Sequence, residues 1–209
     1  MSQTKINVGM IDGSGTPGSG NFLRGDGSWQ AASGAFTFIN TSDISNAATY
    51  SFTAVDASSY DGYAFFLHNV VPVTDEVDLY FRTSTDGGST YDSGAGEYSW
   101  TAISDGSRYN ASSATEISFT SANSGASVEV GSATNEPGVS GWVYLVAPHL
   151  TKYTFVCGTI HYWCAGSIMQ NSISSGVRIS NADVDALQML FSSGNIETGT
   201  VTAYGIANA

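Results

Sequence analysis

The sequence predicts an all-β protein: an antiparallel β-sandwich of jelly-roll-like type, preceded by an extended N-terminal anchoring segment. Three observations carry this. From Phe36 onward, apolar residues recur with a period of two, the repeat of a strand with one buried face. Clusters of Gly, Asn, Asp and Ser punctuate these runs, as turns do in sandwiches and barrels. Only 11% of the 209 residues are charged, while 24 Gly, 31 Ser and 20 Thr supply a small polar exterior. Ordinary globular chains carry about 25% charged residues.

A change of composition near residue 35 divides the chain into 1–35 and 36–209. Residues 10–34, MIDGSGTPGSGNFLRGDGSWQAASG, cannot bury enough apolar surface to order alone. Yet Met10, Ile11, Phe22, Leu23 and Trp29 are spaced through them, which a plain linker would not need. The segment is therefore expected to order by packing on a partner or on another copy. Ile11, Phe22, Leu23 and Trp29 are the expected anchor or oligomer contacts.

In the second region, Tyr50, Phe52 and Ala54 share one face of the first clear strand. Tyr63, Phe65 and Leu67 alternate with Ala64, Phe66 and His68, so this strand is expected to be buried on both faces. Val77, Leu79 and Phe81 alternate with Asp78, Tyr80 and Arg82, a cleaner inside/outside pattern. Further strands are expected over 97–103, 116–120, 127–130, 142–147, 153–163, 167–173, 184–191 and 199–206. The stretch 182–190 could form two helical turns, but Val184, Asp185 and the following SSGN favour a strand and turn. Residues 121–141 are the least patterned and, with Pro137-Gly138, read as a long loop. About ten strands of this kind make two packed antiparallel sheets.

Charge excludes two classes of partner. Six basic against eighteen acidic residues give a net charge of −12, opposite in sign to what a phosphate-backbone binder requires, so no nucleic acid is expected. No stretch approaches the ~20 apolar residues of a membrane span, so no membrane insertion is expected. The opening MSQTKINVG lacks the apolar run of a secretory signal. On one strand Cys157 and Cys164 would lie roughly 23 Å apart on opposite faces, beyond the ~7 Å Cα separation a disulfide spans. Two reduced thiols are expected, in keeping with a reducing cytoplasm.

The chemistry-bearing motifs are sparse. STDGGSTY, residues 84–91, matches the Asp-box pattern with Tyr91 in the Trp position. It reads as a hairpin turn: Asp86 accepts backbone amides, Gly87 and Gly88 take positive φ, and Thr90 and Tyr91 begin the return strand. Arg24-Gly25-Asp26 is explained by its flanking glycines as a turn. Asp61, Asp75, Glu76, Asp78, Asp86 and Asp92 read as solvated turn residues rather than a calcium ligand set. Cys157 and His161 share a strand face with Tyr153, Phe155 and Trp163, a core or aromatic patch. There is no nucleophile elbow, phosphate-cradling loop or dinucleotide fingerprint. No catalytic residue, metal or cofactor is expected, and the chain is read as a non-enzyme. Aromatic residues exceed the needs of one core. Tyr98, Trp100, Tyr109, Trp142 and Tyr144 are the candidate glycan or partner contacts, with core and oligomer packing as the competing account.

Residues 20–29, GNFLRGDGSW, resemble a motif widespread in tailed-bacteriophage fibre and adhesin proteins, (F/Y)LRGDG(T/S)W in a Gly/Ser-rich stretch before a β domain. Residues 184–206, with VDAL, FSSGNI, Gly199 and YGI, are similar to the end of small phage tail and virion β domains. STDGGSTYDSG, residues 84–94, is typical of them too. The resemblance implies a virion structural protein: a short fibre, a head-surface fibre or decoration, or a tail-tip component. It implies a homotrimer assembled in the host cytoplasm and located on the virion. The N-terminal segment would join other virion proteins, and the β domain would face outward toward a host surface glycan. The chain has no shaft repeats, which favours a short appendage. A carbohydrate-binding module is the alternative, and a glycan-depolymerising hydrolase a remote one.

Overall fold

The computed structural model describes residues 21–25, 27–31, 35–56, 58–104, 107–120 and 129–207. The chain divides into two units, Met1–Ala35 and Phe36–Ala209. Within the first, β1 (Asn21–Leu23) pairs antiparallel with β2 (Trp29–Ala31), Leu23 opposite Trp29. Arg24 N donates to Ser28 O at 2.8 Å and Gly27 N to Arg24 O at 3.0 Å. Gly27 has φ 83°, a conformation that costs glycine nothing and lets the chain reverse. The LRGDGSW stretch is thus a hairpin where a simply extended segment was expected, and Arg24-Gly25 stands in its turn as anticipated. Ile11 and Met10 lie outside the described residues, as does the Phe22 side chain. Leu23 is exposed, and the half-buried Trp29 has an indole N–H without a hydrogen-bond partner.

The second unit contains β3 (Phe36–Ala47), β4 (Tyr50–Phe52), β5 (Tyr60–Pro72), β6 (Leu79–Ser84), β7 (Tyr98–Ser104) and β8 (Ser107–Ala114). It continues with β9 (Ile117–Ser118), β10 (Val139–Val146), β11 (Thr154–Trp163), β12 (Met169–Arg178), β13 (Ala186–Phe191) and β14 (Ile196–Ala207). No described residue is helical. One sheet has eight strands in the order β3-β14-β5-β10-β11-β12-β7-β8; the other has four, β4-β13-β6-β9. Every pairing is antiparallel. The fold is an all-β antiparallel sandwich, as the period-two pattern predicts.

The two inner faces make one core. From the small sheet, Phe52 meets Tyr63 and Phe65 of the large sheet at ring-centroid distances of 5.3 and 5.0 Å. Phe81 packs edge-on against Phe119 at 4.7 Å. Gly176 and Gly158 lack the Cβ that Ile117 and Phe119 would otherwise strike, so β9 and the residue after it press directly onto the large sheet. Alternation in β11 is nearly ideal: Val156, Ile160 and Tyr162 are buried, and Phe155, His161 and Trp163 are exposed.

Several expectations are corrected. β5 is not buried on both faces: Tyr63, Phe65 and Leu67 are in the core, but Phe66 and His68 are exposed. The small sheet covers only the inner face of the large one. Asp78 does not point to water; it is 5% exposed. β3 and β8, which carried no clear inside/outside signal, are the edges of the large sheet. The Asp-box stretch is not a hairpin, because the strands on either side of it belong to different sheets. Thr90 and Tyr91 begin no strand. Of the expected strand 127–130, the described part contributes only the bridges from Val130 to Val77 and Cys164. Cys157 and Cys164 are free thiols, as expected.

Candidate functional site

The Asp-box turn joins the sheets by local hydrogen bonding. Ser84 Oγ donates to Asp86 Oδ1 at 2.7 Å, and Thr90 N and Oγ1 donate to the same carboxylate at 2.9 and 2.6 Å. These bonds, those from Thr90 first, hold the Asp86 carboxyl down to about 2. Gly87 and Gly88 have φ 72° and 82°, as the pattern predicts. Below the turn, Arg178 grips Asp92 Oδ2 at 2.7 Å, and Thr83 N donates to the Tyr98 hydroxyl at 2.8 Å. Tyr98 donates in turn to the Asp92 carbonyl. Its hydroxyl is therefore used inside the protein and its ring is fully buried. Tyr98 is a core residue, not a glycan or partner contact.

Acidic residues of the described turns are held by local donors. Asp75 accepts Ser132 N at 2.8 Å, Asp78 accepts Thr120 Oγ1 at 3.0 Å, and Asp86 and Asp92 are held as above. Among the described residues no three His, Cys, Asp or Glu side chains come together as a metal site would require. Burial pushes the Cys157 thiol up, away from the thiolate form a nucleophile needs.

What the fold does assemble is an aromatic platform on the outer face of the large sheet. Strand register sets its rows. One runs across β14, β5, β10, β11, β12 and β7 as Thr202, Phe66, Trp142, Thr159, Ile173 and Ile103. The next begins at β3 and runs Phe38, Tyr204, Ala64, Tyr144, Cys157 and Ser175. Tyr204 is its hub, meeting Phe36, Phe38 and Phe66 edge-on at 6.5, 5.8 and 5.7 Å. Such edge-to-face contacts fix ring orientation beyond simple burial. Gly62 makes room for the Tyr144 ring: a Cβ there would lie 2.6 Å from its hydroxyl. A shallow groove of about 520 Å³ lies between Phe36, Phe66, Trp142, Tyr144 and Ile206. Beside it a second, of about 370 Å³, adds His68 and Thr202.

Of the five candidate contacts, the structure thus brings together only Trp142 and Tyr144. Trp100 packs against the core cluster, and Tyr109 is half-buried on the edge strand β8 opposite Ala102. Sequence reasoning missed Phe36, Phe38, Phe66 and Tyr204 as members of this face; Phe155, which it placed with Cys157 in a core or aromatic patch, lies on it. Their signal was present in β5, where apolar residues occupy both alternating sets. That pattern reads as double burial, yet it is equally the mark of a sheet whose second face is bare. The chain matches no family model, no curated protein and no solved structure.

Proposed function

We propose that this chain is a non-enzymatic structural protein of a bacteriophage virion: a short fibre, a head-surface fibre or decoration, or a tail-tip component. The N-terminal unit joins it to other virion proteins, and the β-sandwich is displayed outward, assembled as a homotrimer in the host cytoplasm. The observation that carries this reading is the division of labour in the chain. A small hairpin unit bears the LRGDGSW motif, and a separate compact sandwich follows it, whose most elaborate surface is an apolar platform rather than a catalytic cleft. Such a platform binds by burial and performs no bond chemistry.

The test is deletion of residues 1–35. The remaining sandwich should stay folded and soluble but no longer join virions. Incorporation of the truncated chain at normal occupancy would defeat the anchor role. Imaging particles that carry a labelled full chain decides between head and tail.

A second reading is supported by the exposed Trp142 beside Phe66, since aromatic rings stack on sugar faces. In that case the platform is a carbohydrate-binding surface for host glycans. Sugars also demand hydrogen-bonding side chains, and the larger groove offers little beyond the Tyr144 hydroxyl and the Trp142 indole. A glycan array with the full chain checks it: a hit abolished by Trp142→Ala would favour this reading.

A further inference from the structure

The geometry points to the outer face of the eight-stranded sheet, centred on Phe66, Trp142 and Tyr204, as the surface on which a second copy of this chain packs. This deepens the homo-oligomeric part of the proposal above by naming the contact face and by replacing the trimer with a face-to-face pair, since a self-complementary face closes as a dimer; it rests on that reading only for its biological setting.

The first argument is area. Phe36, Phe38, Phe66, Trp142 and Phe155 are 55%, 57%, 38%, 44% and 48% exposed. At about 200 Å² per ring, these five alone present on the order of 500 Å² of aromatic surface. Ile103 and Ile173, 48% and 61% exposed, extend the same face. Monomeric proteins seldom leave contiguous apolar patches beyond a few hundred Å². A standard interface needs about 800 Å² per partner, and these residues supply most of it.

The second argument is charge. The chain carries a net charge of −12, so two copies repel, and they repel least when the surfaces that touch carry no charge of their own. The row from Thr202 to Ile103 is uncharged at every position until Arg108 on the edge strand β8. The row from Phe38 to Ser175 continues through Thr101 to Asn110 and carries no charge at all. Asp43 is the exposed β3 end of the next row on this face, opposite Thr200 and His68, and marks the edge of the uncharged area. The uncharged apolar rows are complementary to themselves, which a second copy satisfies without any matching set of charges. A basic partner would find nothing here to pair with. The contacts are also compatible in shape, because sheet faces stack at about 10 Å with interdigitated side chains.

The experiment is sedimentation of the full-length chain over a range of concentrations, with two variants. The unaltered chain is expected to associate, and to associate more tightly as salt rises from about 0.05 to about 0.5 M, because salt screens the mutual repulsion of acidic bodies. Phe66→Glu with Trp142→Glu should weaken association at least tenfold while circular dichroism and the melting profile at low concentration stay native, since both side chains are already exposed. Gln188→Glu, on the outer face of the other sheet, should leave association intact. A monomeric unaltered chain, or an oligomer that survives the double substitution, overturns the proposal. So does a monomer that binds a glycan through Trp142, because the face then has a different occupant. Virion incorporation is scored separately. A chain that self-associates through this face yet never joins particles defeats the virion reading alone, and a monomer that does join them defeats the face alone.

Discussion

The two sheets of the sandwich turn opposite kinds of surface to the outside. On the four-stranded sheet, outward positions hold Ser51, Gln188, Arg82 and Tyr80, with one apolar member, Leu190 opposite Tyr80, and with Glu116 paired to Arg82 at 3.1 Å. Gln188 reaches Ser51 across the strands at 3.4 Å. On the eight-stranded sheet the equivalent positions hold Phe66, Trp142, Tyr144 and Tyr204. Both faces are built from the same period-two strands and share one core, so the fold does not dictate the difference. Only the outward residues do. A sheet face finished with hydroxyls, an amide and an ion pair is complete in water, whereas one finished with aromatic rings is complete only when covered.

The sharpest way to break this contrast uses neighbours on one strand. Phe65 is 1% exposed in the core and Phe66 is 38% exposed on the platform. Phe65→Ala should lower unfolding stability by about 3–5 kcal/mol, the usual cost of emptying an aromatic site. Phe66→Ala should lower it by only about 1 kcal/mol in dilute chain, chiefly through the lost edge-on contact with Tyr204. Equal losses in urea titrations would mean that the platform is already covered within a single chain.

The second largest effect comes from Asp78. Burial raises its carboxyl to about 6, with Glu129 adding to the rise, while the Thr120 and Tyr80 hydroxyls that donate to it act against it. The folded value lies above the ~3.9 of an unfolded chain. The folded state thus holds a proton that the unfolded state has lost, and stability declines as pH climbs from about 4 through about 6. The full loss is about 3 kcal/mol. Asp86 works in the other direction: its depressed value favours the folded state above about 4, and that contribution disappears only as pH falls toward 2. Urea midpoints between pH 4 and 7 should therefore fall in the unaltered chain and stay flatter in Asp78→Asn. An unchanged slope in the variant would assign the decline to another group.

Legibility followed the same division. The apolar set of an alternating strand, as in Val77, Leu79 and Phe81, reads correctly as core from sequence. It could not place β3 or β8, because edge strands expose both sets and FTFINTSDISNA alternates without consequence. It misjudged Asp78, whose carboxylate is hidden by Thr120, a residue 42 positions away. It left Tyr98 open between a surface contact and the core, and the core account holds, because its hydroxyl finds Thr83 and Asp92 inside the protein. Turn chemistry was legible to the level of φ at Gly87 and Gly88. Which sheet the chain entered next was not, because sheet membership is decided by long-range pairing.

A smaller effect sharpens the platform itself. Gly62→Ala would place a methyl group 2.6 Å from the Tyr144 hydroxyl and 2.9 Å from the Leu145 carbonyl. The tyrosine can swing away, but the carbonyl belongs to a paired strand, so a cost of about 1–3 kcal/mol is expected. If the platform is the contact face, self-association should weaken together with stability, because Tyr144 leaves its place beside Trp142. Loss of stability with undiminished association would place the contact elsewhere.

The smallest expected effect belongs to the wet face. Arg82 and Glu116 approach at 3.1 Å with side chains 27% and 20% exposed. Partial exposure leaves the pair screened by solvent and salt, so Glu116→Gln should cost less than about 1 kcal/mol, and less still at high ionic strength. The Arg82 Nε lacks a partner even with Glu116 present, so the pair is not the bidentate fork that makes such contacts strong. Removing it also makes the chain one unit less acidic, which slightly eases repulsion between copies. Sedimentation of Glu116→Gln should therefore show association equal to the unaltered chain or marginally tighter. A marked loss of association would reverse the assignment of the two faces, because it would place the ion pair, and not the aromatic rows, between copies.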